Sequence, residues 1–123
     1  MRLENIEVYD CSVVGVELGA FGHVRDSNFI DNGVNIACAT GNVVKDCNTI
    51  GGGGASITIG RDCTITGCVI EDGQAGLGGT IAGIAEGANT NDAGNVITDN
   101  VFRKFDAAIS LSGNPGNAIY RNI

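Results

Sequence analysis

The chain has 123 residues, room for one domain, with a formal net charge of -7 and 20 glycines. The acidic balance argues against a nucleic-acid partner, which needs clustered Lys and Arg, and against an anionic membrane surface. No apolar run approaches the roughly 18 residues that span a bilayer.

The opening Met1-Arg2-Leu3-Glu4-Asn5 lacks the apolar core of a signal peptide. Cytoplasmic synthesis without a signal peptide is expected, with a virion or the cell surface as candidate final locations. A six-residue pattern then begins at Leu3-Glu4-Asn5-Ile6-Glu7-Val8 and recurs along the chain. It returns as Val24-Arg25-Asp26-Ser27-Asn28-Phe29, Val44-Lys45-Asp46-Cys47-Asn48-Thr49, Ile65-Thr66-Gly67-Cys68-Val69-Ile70 and Ile97-Thr98-Asp99-Asn100-Val101-Phe102. Ile119-Tyr120-Arg121-Asn122-Ile123 closes it as a truncated copy. The leading aliphatics are 21, 20, 21, 32 and 22 residues apart.

Between these copies lies a second pattern, a small residue followed by alternating aliphatics. It reads Gly15-Val16-Glu17-Leu18, Gly33-Val34-Asn35-Ile36, Ser56-Ile57-Thr58-Ile59, Gly83-Ile84-Ala85-Glu86 and Ala108-Ile109-Ser110-Leu111. A third marker is Asn42, Asn95 or Asn117 two residues before the leading aliphatic, with Cys63 in the same place. A strand this short cannot bury its apolar side alone. Stacking equivalent strands about 4.8 Å apart pairs their backbones and makes one continuous core. The spacing therefore predicts an all-β, right-handed parallel β-helix: a solenoid of about six coils of 20–22 residues, one enlarged to about 32. Like residues should then form files: Val24, Val44, Ile65 and Ile97 in the core, and Ser27, Cys47, Cys68, Asn100 and Asn122 at a bend. A 20–22-residue period does not suit left-handed hexapeptide helices. The Leu-rich signature and the calcium-binding nonapeptide pattern are both missing.

The spacing, the Asn/Cys file and the Val-x-Asp-Asn-x-Phe type motif resemble the pectin-lyase-like family of right-handed parallel β-helices. The resemblance covers essentially the whole chain. It implies a solenoid scaffold shared by polysaccharide lyases, glycoside hydrolases, epimerases, phage tail spikes and other virion proteins. The spike resemblance implies a homotrimer with rods side by side.

The 32-residue coil carries its extra residues on both sides of Gly83–Glu86, as loop insertions near 71–82 and 87–94 of a single domain spanning 1–123. Insertions leave a solenoid as surface loops. The first exposes Leu77 and Ile81, apolar residues suited to a partner chain. Glu71, Asp72, Glu86 and Asp92 are the candidate catalytic carboxylates, since a pair held about 5–9.5 Å apart can cleave a glycosidic bond. Oxygen ligands of this kind also suit Ca²⁺, but solvated loop charge is the simpler reading, and neither a cofactor nor a metal site is assigned. The outward file Glu17, Asn35, Thr58, Ala85 and Ser110 offers a shallow polar strip to a partner or a sugar chain. Arg25 and Lys45, each followed by Asp, read as charges that offset one another, and His23 as an outward side chain. Five Cys without a CxxC pair read as buried free thiols.

Two functions follow. The first is a non-catalytic structural or binding module, of the virion-decoration or tail-spike type, contacting sister chains, a neighbouring structural protein or a polysaccharide. The second is a minimal or truncated polysaccharide lyase, hydrolase or epimerase acting near the enlarged coil.

Overall fold

A computed structural model describes residues 1–72, 82–87, 93–105, 107–112 and 116–123. Among these there is no helix, and so none long and apolar enough to cross a membrane. The chain winds through three parallel sheets in turn, making a β-solenoid of about five turns. Sheet A contains Arg2–Glu4, His23–Arg25, Val43–Lys45, Thr64–Thr66, Val96–Thr98 and Ala118–Tyr120. Sheet B contains Glu7–Tyr9, Asn28–Ile30, Asn48–Ile50, Val69–Glu71 and Val101–Arg103. Sheet C contains Val14–Leu18, Val34–Cys38, Ile57–Ile59, Ala82–Glu86 and Ala107–Ser110. The expected six copies are the six strands of sheet A; sheets B and C have five strands each.

The predicted files are present. Leu3, Val24, Val44, Ile65, Ile97 and Ile119 pair in register through sheet A. Val8, Phe29, Thr49, Ile70 and Phe102 do the same in sheet B. The inward members of the middle coils are fully buried. Strand Ala82–Glu86 of the enlarged coil keeps register with Ile57 and Ile109. The insertion therefore leaves the stacking intact.

Each of the three bends is turned by a residue in the left-handed region. Between sheets A and B these are Asn5, Asp26, Asp46, Gly67, Asp99 and Arg121. Between B and C they include Asp10, Asp31, Gly51 and Lys104; between C and A they are Phe21, Gly41, Asp62, Gly94 and Gly116. Asp and Asn tolerate this conformation better than other side-chain-bearing residues. This explains the Asp/Asn/Gly position that follows the first five leading aliphatics by two; Arg121 takes it after Ile119. At several bends the next residue is an Asn or Ser whose side chain caps the turning backbone.

At these positions Asn replaces backbone pairing between coils. Asn100 Oδ1 accepts from the Cys68 N–H (2.9 Å), and its Nδ2 donates to the Ile65 carbonyl (3.0 Å). Asn122 repeats this one coil on, toward the Asn100 N–H and the Ile97 carbonyl. Asn95 serves the Cys63 N–H and the Gly60 carbonyl; Asn32 serves Cys11 and Val8. Where the file holds Ser27, its hydroxyl still accepts from the Ile6 N–H. Asn100→Ala leaves a buried donor and a buried acceptor unsatisfied and is expected to lower stability by about 2 kcal/mol. Asn100→Ser, which keeps the acceptor, should recover part of that loss in urea unfolding. Equal losses for the two variants would mean that the amide's bonds contribute nothing specific.

Candidate binding face on sheet C

Strand alternation sends every second residue of sheet C outward. The strand register places Glu17, Ala37, Thr58, Ala85 and Ser110 side by side on that face. At one strand spacing per step the strip runs about 19 Å along the rod. Toward its Glu17 end it borders a depression of about 240 Å³, lined by Glu17, Leu18, Ala37, Cys38, Ala39, Thr58 and Gly87. That is smaller than the roughly 300–1,000 Å³ of typical small-molecule pockets. The lining offers one carboxylate, one hydroxyl and backbone groups, with no cation and no aromatic ring. It can hydrogen-bond an extended polar surface. Among the described residues it does not supply the two carboxylates that glycoside cleavage uses.

Asn35 does not belong to this strip. Its N–H and that of Ile36 both donate to the Ser56 carbonyl, at 2.9 and 3.2 Å, the two-against-one pattern of a β-bulge. The bulge turns Asn35 inward, where it is 0% exposed. Its Oδ1 accepts from Asn32 Nδ2 (2.8 Å), and its Nδ2 donates to the Gly51 carbonyl (2.9 Å) and Ser56 Oγ (3.0 Å). Ser56 Oγ donates in turn to Thr49 Oγ1 (2.9 Å). This buried network is why Thr49 can interrupt an otherwise apolar file. Ala37 takes the outward place expected for Asn35.

Of the candidate carboxylates among the described residues, Glu71 and Glu86 end strands of different sheets, and Asp72 follows Glu71. Glu71 ends a strand of sheet B and takes a hydrogen bond from Lys104 Nζ (2.6 Å), with Arg103 3.9 Å away. The Lys104 ammonium holds the Glu71 carboxyl below its usual range. Asp72 is buried, and its N–H donates to the Arg103 carbonyl. Glu86 closes the sheet C strand, in register with Ile59 and about 13 Å from that strand's first residue at ~3.3 Å per residue. Asp92, Leu77 and Ile81 lie outside the described residues. Among the described residues no group of three or more His, Cys, Asp or Glu side chains is arranged to hold a metal. Arg25 is engaged with Glu4 and Asp26, and Lys45 with Asp46, so these charges offset one another along the edge of sheet A.

Sequence reading missed Leu18, Ala37, Cys38, Ala39 and Gly87 as lining residues. The available signal was the five-residue alternation Val14-x-Val16-x-Leu18 set against Val34-x-Ile36-x-Cys38. Cys63 Sγ contacts the Ala39 and Arg61 carbonyls at 3.5 and 3.4 Å, and the Cys38 and Cys63 thiols perturb one another. The Cys38 thiol, helped by the backbone of Asn42, Gly60 and Gly41, brings the Cys63 thiol down to about 7 against the opposing effect of burial. Cys63, together with burial, pushes Cys38 well up.

Comparison with family models, curated proteins and solved structures finds no match to the chain. The parallel solenoid therefore rests on the fold itself.

Proposed function

We propose that this protein is a non-catalytic structural module of a surface or virion-type assembly, meeting sister chains through the outer face of sheet C. The pectin-lyase-like and tail-spike resemblance of the repeat supports the class. The observation that carries the reading is the strip Glu17–Ala37–Thr58–Ala85–Ser110: mostly short side chains in register, flanking a depression that has a single carboxylate among its described lining residues. Such a face suits close approach of another rod better than it suits bond cleavage. A trimer, with rods side by side, is the assembly proposed.

Light scattering at micromolar concentration is expected to give three times the 12.5 kDa chain mass. Ala37→Arg and Thr58→Arg each place a bulky charge on the strip and should return the particle to one chain mass with its β-sheet circular dichroism unchanged. A wild-type particle of one chain mass sinks the proposal. So does release of new reducing ends or unsaturated products from acidic polysaccharides, which favours the lyase or hydrolase reading.

A further inference from the structure

The bend between sheets A and B puts two cysteines in consecutive coils at the same place. Lys45 pairs with Thr66 before the bend and Asn48 with Val69 after it, so Cys47 and Cys68 are held in register from both sides. The Val69 N–H donates to the Cys47 carbonyl at 3.0 Å. One strand spacing, about 4.8 Å, falls within the Cα–Cα range of roughly 4.4–6.8 Å that a disulfide spans. Both side chains point inward and each sulfur contacts the carbonyl two residues back, at 3.3 Å for Cys47 and 3.4 Å for Cys68. Both residues are free thiols in this structure.

We propose that Cys47 and Cys68 are a reversible dithiol–disulfide site that staples two successive coils, with a small-molecule disulfide as oxidant. In the first step one protein thiolate attacks the oxidant's S–S bond. A mixed disulfide forms and one small thiolate leaves. In the second, the other protein thiolate attacks the protein sulfur of that mixed disulfide. The Cys47–Cys68 bond forms, a second small thiolate leaves, and the two protons lost by the protein end on the two small thiols. The neighbouring Cys68 thiol lowers the Cys47 thiol, which favours Cys47 as first attacker; Cys47 and burial raise Cys68. Both side chains are at most 2% exposed, so exchange proceeds through local opening of the bend. Serine is tolerated here, because Ser27 fills the same file one coil earlier and bonds the Arg25 carbonyl as Cys47 bonds that of Lys45.

The test is incubation of the native full chain with oxidised glutathione, then alkylation and peptide mapping. Alkylatable thiols are expected to fall from five to three, with one cross-link joining the Cys47 and Cys68 peptides. Dithiothreitol restores all five. The closed loop is also expected to raise the melting temperature by roughly 5 °C. Cys47→Ser abolishes the cross-link, whereas Cys38→Ser/Cys63→Ser retains it. Five free thiols after native oxidation overturn the proposal. So does a cross-link that forms only in denaturant, or one that maps to Cys38–Cys63 or to Cys11.

Discussion

Ile65→Ala is expected to lower stability by about 4 kcal/mol, read from the urea midpoint at constant slope. Ile65 is fully buried, with Val44 stacked on one side and Ile97 on the other. Coils held by backbone ladders at a fixed spacing cannot close around the void, so the cavity persists and its cost adds to the lost transfer energy. Ile65→Val should lose only about 1 kcal/mol, since valine already fills this file at Val24 and Val44. Ile119, in the last strand of the same file, is 49% exposed. Its replacement by alanine should lose less than about 1 kcal/mol, because about half of the residue has no burial to surrender. Equal losses at Ile65 and Ile119 would contradict a continuous core. With a domain stability of about 5–15 kcal/mol, the Ile65 loss removes a large part of the total.

The core file was legible because its spacing is set by coil circumference. A coil of fixed cross-section needs a nearly fixed number of residues, and equivalent positions face the same interior. The caps Asn42, Asn95, Asn100 and Asn122 were legible for the same reason: each serves a backbone N–H of the preceding coil, at 2.7–3.0 Å. Sheet C was less legible. Side-chain alternation has a period of two, so the slip that aligned Val34 with Val16 preserved the apolar pattern and left no penalty visible in the sequence. The bulge at Asn35 then broke the alternation itself, and only the surrounding partners Asn32, Gly51 and Ser56 reveal why a polar residue turns inward. The depression depends on side chains from three coils together with Gly87, beyond the end of the sheet C strand. No single repeat unit carries that information.

Close approach of coils makes the second large prediction. Gly60→Ala is expected to lower stability by about 3 kcal/mol or more. A Cβ on Gly60 would lie 2.1 Å from the Ala39 carbonyl oxygen and 3.0 Å from its carbon. That oxygen belongs to the backbone of the preceding coil and accepts the Arg61 N–H at 3.2 Å, so it cannot rotate away. Relief requires the two coils to separate by close to 1 Å. The separation would stretch the Gly41-to-Arg61 and Thr64-to-Asn42 bonds on the same bend, now 2.9 and 2.8 Å. One methyl therefore loosens several contacts between these two coils at once. Gly19→Ala is the matched control, since nothing stands within 4 Å of its added Cβ. Gly19 also lies outside the left-handed region. Its stability should change by less than about 0.5 kcal/mol. Similar urea midpoints for Gly60→Ala and the parent would mean that the coils at this bend are not packed at backbone contact, and the stacking on which the sheet C face depends would fail there first.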